Sequence, residues 1–366
     1  MLAPPYRRPV PCAFIDTPNT IIVSTVQVPL SEWPPATMFF SPCLTIRSDH
    51  GLTSVRFLGP RLLTTSSHGD FCSWSLESAN LLSSSHPKPD LVSALPLLPP
   101  GSSSCGIVAL QHKGGVCLFD LARGEVFHEY RVDYSGFSRI RFCRPDSPLL
   151  LCPSGLGSIV CHDLRLPDPA KANNTSSSPS IEVPPPTGHG TDVGTLQNFE
   201  PIPSISAHHV ASTYESGLVA VSDLRRPNSP VAALTLPNVE GLPSLDAWRS
   251  VLLVGDTSGH VSMLHVSPSS ELTLLRQHNV NPDSGSSSGV GCLKVRPDGA
   301  LTLACCWDYA LRALETRTLQ VKATLKEHYD SVTDAAFDGP TGRFATCGLD
   351  GNAHVWNLFN DNYSPV

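Results

Sequence analysis

Apolar residues in this chain come in short bursts. Val332 to Phe337, Leu293 to Val295, Val251 to Val254 and Ile140 to Phe142 are apolar or alternating runs of strand length. No window repeats apolar side chains at the 3.6-residue period of an amphipathic helix. The 35 Pro and 26 Gly fall between the runs and punctuate them. The pattern predicts many short strands, few helices and an all-β fold.

One turn recurs along the chain. A Gly is followed five positions later by an aromatic residue or a stand-in for one: Gly69 and Trp74, Gly114 and Phe119, Gly157 and His162, Gly217 and Ser222, Gly259 and Leu264, Gly351 and Trp356. Tyr309 takes the glycine place before Leu314. The closing positions 74, 119, 162, 222, 264, 314 and 356 are 45, 43, 60, 42, 50 and 42 residues apart. A period near 42 residues marks a repeat architecture, and seven units result.

The last unit, Lys326 to Leu358, is the fullest copy. It reads K-E-H-Y-D-S-V-T-D-A-A-F and then F-A-T-C-G-L-D-G-N-A-H-V-W-N-L. A His, an apolar strand, a small-residue strand, an Asp-Gly turn and a closing Trp in that order resemble a WD40 repeat, the four-stranded blade of a β-propeller. The resemblance implies a buried structural relay in which Asp350 turns inward to His328, with Thr346 and Trp356 completing the set. Mutual pairing would make those polar groups tolerable inside. The expected fold is therefore a seven-bladed WD40 β-propeller over 41–358. A Pro-rich, disordered tail is expected over 1–40 and a short C-terminal tail over 359–366. Cys43 to Ile46 is expected to supply the outer strand of the last blade and so close the ring. Two flexible inserts, 166–187 and 279–289, account for the long intervals, and each is expected to precede the first strand of a blade.

Composition narrows the functional classes. Net charge is −7, and only Arg7-Arg8 and Arg225-Arg226 form basic pairs, so direct nucleic-acid binding is not expected. No run approaches the length of a transmembrane helix, and the N-terminal apolar stretch is not read as a secretory signal. The 12 Cys include no C-x-x-C pair and read as reduced thiols of a nuclear or cytoplasmic protein. Neither a metal nor a cofactor is expected. Gly285 to Gly289 matches G-x-S-x-G but lies in a Ser-rich loop, where a nucleophile elbow has no strand before it or helix after it. His208-His209 enters a strand, so it reads as core and surface histidine. No catalytic residue is assigned. Partner contacts are expected at residues just before each turn, Ser67, His112, Glu215, Thr257, Trp307 and Leu349, and at Thr333 early in a first strand. Trp307 is the foremost of these, because an aromatic side chain at a rim is a natural anchor.

The penultimate unit carries a narrower resemblance. Arg296-Pro297-Asp298, Trp307-Asp308, Arg312, Thr318, Ala323-Thr324-Leu325 and His328 are similar to the corresponding blade of the family of fungal ASTRA-associated protein 1 and animal G-protein β-subunit-like protein 1. Tyr134 to Cys143 is similar in style. That resemblance implies a non-catalytic scaffold that binds the Tel-Tti co-chaperone assembly and supports maturation and stability of phosphatidylinositol-3-kinase-like protein kinases. These act in DNA-damage signalling, and the ASTRA complex itself is chromatin-linked. The middle units depart from the pattern in having no closing Trp. A heterotrimeric G-protein β-subunit is disfavoured, because a Pro-rich N-terminus cannot form the heptad helix that pairs with a γ subunit. The alternative is a substrate receptor of a cullin-type ubiquitin ligase. Asp163-Leu164-Arg165 and Asp223-Leu224-Arg225 resemble its docking motif, although His162 and Ser222 stand where that motif has Trp.

Overall fold

The short runs form strands, 28 of them among the described residues, with no helix. The computed structural model describes residues 40–97, 106–132, 134, 136–144, 147–155, 157–164, 181–187, 193–239, 241–281 and 288–358. The tails expected over 1–40 and 359–366 lie almost wholly outside these residues. No helix is long and apolar enough to cross a membrane.

The strands make seven antiparallel four-stranded sheets. Blade one is β2 (Leu52–Leu58), β3 (Arg61–Ser66), β4 (Phe71–Ser75) and β5 (Leu81–Ser85). Each following blade repeats the order. The first strands are β6 (Leu91–Leu97), β10 (Arg141–Phe142), β14 (Leu196–Pro201), β18 (Ser244–Trp248), β22 (Val290–Val295) and β26 (Val332–Phe337). These pack on one another around the ring: β2 on β6, β10 on β14, β14 on β18, β18 on β22, β22 on β26, and β26 on β2. All seven closing positions read from the repeat fall on third strands, from Trp74 on β4 to Trp356 on β28 (Asn352–Trp356).

Stability resides between blades. Seven apolar clusters are each shared by two neighbours. Leu301, Leu303 and Leu311 of blade six meet Val332, Phe344 and Trp356 of blade seven, and Phe199, Val210 and Tyr214 of blade four meet Leu151, Ile159 and Cys161 of blade three. A single sheet could not bury both faces alone, so the ring is needed to complete every core.

β1 (Leu44–Arg47) closes that ring. It pairs antiparallel with β28, Leu44 opposite Val355 and Arg47 opposite Asn352, so residues from the chain's start become the outer strand of blade seven. Gly351 makes the tight turn before β28 with φ +77°, and a Cβ there would come within 2.6 Å of the Ser48 carbonyl. Only Gly fits that approach. Tyr309, predicted in the equivalent place, holds φ +69°, so the turn persists without the glycine at some backbone strain.

The first insert differs from expectation. Ile181–Val183 is strand β13, paired with β12 (Ser158–Asp163) as the outer strand of blade three. The insertion thus falls between third and fourth strands, not before a first strand, and the end of 166–187 is ordered. The alternating Ile-Glu-Val triplet covers the edge that β12 would otherwise expose. In 279–289, Asn279 ends strand β21 (Leu272–Asn279), Val280, Asn281 and Ser288 are buried, and 282–287 lie outside the described residues.

Candidate functional site

The relay residues come together in blade seven. His328, in the connection to β26, places Nδ1 3.0 Å from Asp350 Oδ2 and Nε2 2.9 Å from Thr346 Oγ1. Trp356 Nε1 donates to the same Thr346 hydroxyl at 3.1 Å. Asp350 also accepts the amides of Tyr329 at 3.1 Å and Asn352 at 3.0 Å. Burial alone would raise the Asp350 carboxyl. The His328 ring and these amides outweigh it and hold the group down to about 2. His354 packs edge-on against His328, and burial, with the His328 charge second, pulls it down to about 3.

His328, Asp350 and His354 place ligand-type atoms within 4.8 Å of one another. Both His328 nitrogens are engaged by Asp350 and Thr346, and His354 Nδ1 lies 3.0 Å from Thr45 Oγ1. A cation could enter only by dismantling these bonds, so the geometry is that of a structural rivet.

A repeated backbone bond puts the turn residues on one face. The amides of Ser67, Glu215, Thr257, Trp307 and Leu349 donate to carbonyls of Gly51, Thr195, Gly241, Gly289 and Ser331, each in the connection entering its own blade's first strand. Turns and entry connections therefore share one end of the propeller. At that end the central channel opens into a cavity of about 440 Å³ lined by Phe137, Trp307, Thr333 and Leu349 above Arg139, Arg141, Lys294 and Asp334.

Of the seven rim candidates, Trp307, Thr333 and Leu349 meet at this mouth. Ser67, Glu215 and Thr257 lie around the ring away from it. Glu215 is committed to capping Thr195, whose amide and hydroxyl donate to it at 3.2 and 3.0 Å. His112 is not a rim group: its side chain is 10% exposed and faces Glu129 on β9 (Glu125–Arg131) at 3.3 Å. The Thr333 hydroxyl is already donated to Leu52 at 2.8 Å and Cys347 at 3.1 Å, stitching blade seven to blade one. Trp307 is 38% exposed, and its other surface lies on backbone: a Cβ on Gly289 would fall 2.4 Å from the indole, and one on Gly291 2.6 Å. Gly289, the last residue of the G-x-S-x-G match, is thus part of the floor beneath Trp307. Phe137, 67% exposed, and Leu349, 45% exposed, stand at the same mouth. Phe137 was not anticipated, because it lies in an irregular entry connection without a turn signature.

The channel below is lined by charge that has no counterpart in the repeat pattern. First strands contribute Arg56, Arg141, Glu200, Asp246, Lys294 and Asp334, and Arg139 precedes β10. Asp334 pairs with Arg56 at 2.5 Å and with Arg139 at 2.6 Å. Arg139 also donates to the Thr53 and Thr333 carbonyls, so it spans the channel from blade three to blades one and seven. Arg141 pairs with Glu200 at 2.5 Å, and Lys294 sits 3.4 Å from Asp246. Burial would raise Asp334, but Arg139, Arg56 and Lys294 hold it far below the ordinary carboxylate range. Asp246 moves the other way, since its burial, with the Glu200 charge, outweighs Lys294 at 3.4 Å and the Val295 amide. The signal was present: a charged residue inside a run that otherwise reads as core marks an inner strand facing a polar channel.

The remaining candidates do not assemble. Arg225 folds back on Asp223, Nη2 to Oδ2 2.7 Å, and its hydrogen bonds hold Asp223 down to about 2. Arg165 of the matching triplet lies outside the described residues. His209 faces Asp223 at 4.0 Å, away from any second ligand pair. Eight of the ten described thiols are buried, and all ten are unpaired.

Residues 319–357, which span the outer strand of blade six and the first three strands of blade seven, match the family described as WD domain, G-beta repeat. No curated protein matches the chain. The protein is a seven-bladed β-propeller carrying a WD40 repeat, an architecture that characteristically serves as a non-enzymatic scaffold for protein partners.

Proposed function

We propose that this propeller is a scaffold that receives a protein partner at the channel mouth, with Trp307 as the anchor. One observation carries the reading: Trp307, Phe137 and Leu349 expose apolar surface together around a single concave opening. Three large apolar side chains gathered at a mouth, on turns and an entry connection between rigid strands, are what a hot spot requires. Trp307 is pre-positioned by its glycine floor, so little rotamer freedom is lost on binding.

The resemblance of the penultimate blade points to the Tel-Tti co-chaperone assembly as that partner, and to stabilisation of phosphatidylinositol-3-kinase-like kinases in nucleus or cytoplasm as the outcome. The experiment is affinity capture of the full chain from cells with quantitative mass spectrometry, comparing wild type, Trp307→Ala and Phe137→Ser/Leu349→Ser. Tel-Tti subunits are expected with wild type and reduced about 10-fold or more in both variants, as for loss of a hot spot. The double variant is expected to melt as wild type does, because both side chains are largely exposed. Undiminished recovery in both variants sinks the site. Recovery of a cullin-ligase adaptor in place of Tel-Tti replaces the partner assignment.

A further inference from the structure

Blade one departs from blade seven at the same turn. Trp74 Nε1 still donates to Thr64 Oγ1 at 2.9 Å, which keeps the outer half of a relay. The turn itself reads His68-Gly69-Asp70 where blade seven has Asp350-Gly351-Asn352. Around it three imidazoles gather from three segments: His50 from the β1–β2 connection, His68 from the β3–β4 turn and His86 from just beyond β5. His50 and His68 stack with ring centroids 4.2 Å apart and planes 11° from parallel, and His68 contacts His86 at 5.3 Å. Asp70 lies among them, Oδ2 3.3 Å from His50 Nδ1 and Oδ1 3.5 Å from His86 Nδ1.

We propose that His50, Asp70 and His86, with His68 beside them, form a binding site for a divalent cation of the zinc class. Imidazole and carboxylate are ligands that such ions take, and neighbouring ligand atoms in a tetrahedral zinc shell lie about 3.3 Å apart. His50 Nδ1 and His86 Nδ1 each lie near that distance from Asp70, one from each carboxylate oxygen. The donors are available: among the described residues His68 makes no hydrogen bond through either nitrogen, and the second nitrogens of His50 and His86 make none. This separates the cluster from His328, whose nitrogens are both engaged. Asp70 has outer support as well, because Ser66 Oγ donates to its Oδ2 at 2.7 Å, the kind of second contact that orients a ligating carboxylate. The side chains of His50, His86 and Asp70 are 43%, 51% and 28% exposed, so an ion has open access. As they stand, the ligand atoms of this cluster do not converge as those of blade seven do, so binding would turn the exposed side chains onto one ion. Bound there, the ion would tie the ring-closing segment to the blade-one turn and to the connection into blade two, clamping the seam of the propeller.

The test uses the full chain stripped with chelator and titrated with Zn²⁺ by calorimetry and thermal shift, with Co²⁺ absorption as a probe of the ligand shell. Wild type is expected to bind one ion and to melt several degrees higher at about 100 times Kd. His50→Ala/His86→Ala and Asp70→Asn should each weaken binding about 10-fold or more and lose the shift, while melting like wild type without metal. His354→Gln should leave the affinity unchanged. Absence of saturable binding below about 1 mM overturns the proposal. So does binding that survives the double variant and is lost in His354→Gln, which would move the ion to blade seven.

Discussion

Replacing Asp334 by Ala tests the charge lattice of the channel. The carboxylate is wholly buried and holds two guanidiniums from other blades, Arg56 at 2.5 Å and Arg139 at 2.6 Å. It also accepts the Val55 amide at 3.2 Å and the Ala335 amide at 3.0 Å. Removing one partner of a buried pair costs about 3–5 kcal/mol, because the other charge is left uncompensated. Here the side chains of Arg56 and Arg139 are 15% and 16% exposed, so channel water recovers part of that. The two amides that lose an acceptor add about 1 kcal/mol each to the loss. The expected loss is about 3–5 kcal/mol, read as a drop in urea midpoint by tryptophan fluorescence. Asp334→Asn, which keeps an acceptor, should lose less. In an Arg56→Met/Arg139→Met background the same Asp334→Ala change should cost far less, since no cation remains to be stranded. A single-variant loss under about 1 kcal/mol, or an equal loss in both backgrounds, refutes the argument. The pH sign follows from the depressed pKa. The ionised carboxylate stabilises the fold above the unfolded value of about 4, and that contribution drains away as pH falls through the lower folded value. Wild type should therefore lose stability steeply below about pH 4, and Asp334→Ala should flatten that part of the profile.

Asp350→Ala strands the buried His328 ring and two amides, and should lower stability by about 1–3 kcal/mol; a change near zero in thermal melting removes the relay assignment. Buried thiols such as Cys117, which desolvation pushes up to about 12, should react with a thiol reagent only on unfolding. Of the described thiols, Cys43 and Cys72, part-exposed, should react first, and fast labelling of Cys117 in the native chain would contradict the packing.

The blade period was legible because most third strands carry a large side chain at the closing position, and five of the seven turns hold a left-handed residue, at Gly69, Gly217, Gly259, Tyr309 and Gly351. Local sequence dictates both, and they survive even where Tyr309 replaces Gly. What escaped reading depends on the ring. Ile181–Val183 is too short to signal a strand and acquires its role only by covering β12. His112 occupies a turn position in sequence, yet Glu129 on the next strand draws it inward. Thr333 is consumed by a carbonyl of blade one, 281 residues away. Arg139 and Asp334 each look like a charge in an apolar run, and their pairing across the channel has no local signature. Trp307, in contrast, was legible as a rim aromatic, while the glycine floor that orients it was legible only as a loop.

The distribution of polar fixtures follows from where the chain must close. Six blades are hairpin-connected sheets whose strands meet within a few tens of residues. Blade seven recruits β1 across 312 residues, as in the bond from the Cys43 thiol to the Val355 carbonyl. Closing a loop of that length costs about 5 kcal/mol in chain entropy on a logarithmic law, and one short strand ladder does not offset it alone. The complete relay, the Asp334 pairs and the Thr333 bridge all lie in this blade, next to the apolar seam of Leu44, Ile46, Val55 and Val355. Middle blades can dispense with a closing Trp because covalent connection on both sides already holds them. On this reasoning Ile46→Asp, which puts a charge at a 2% exposed seam position, should open the ring before it unfolds the blades. Hydrogen exchange should accelerate in β28 and β1 while the β14–β15 pair (Leu196–Pro201 with His209–Tyr214) keeps its protection. Uniform loss of protection in every blade would show that the seam is not the weak point of the ring.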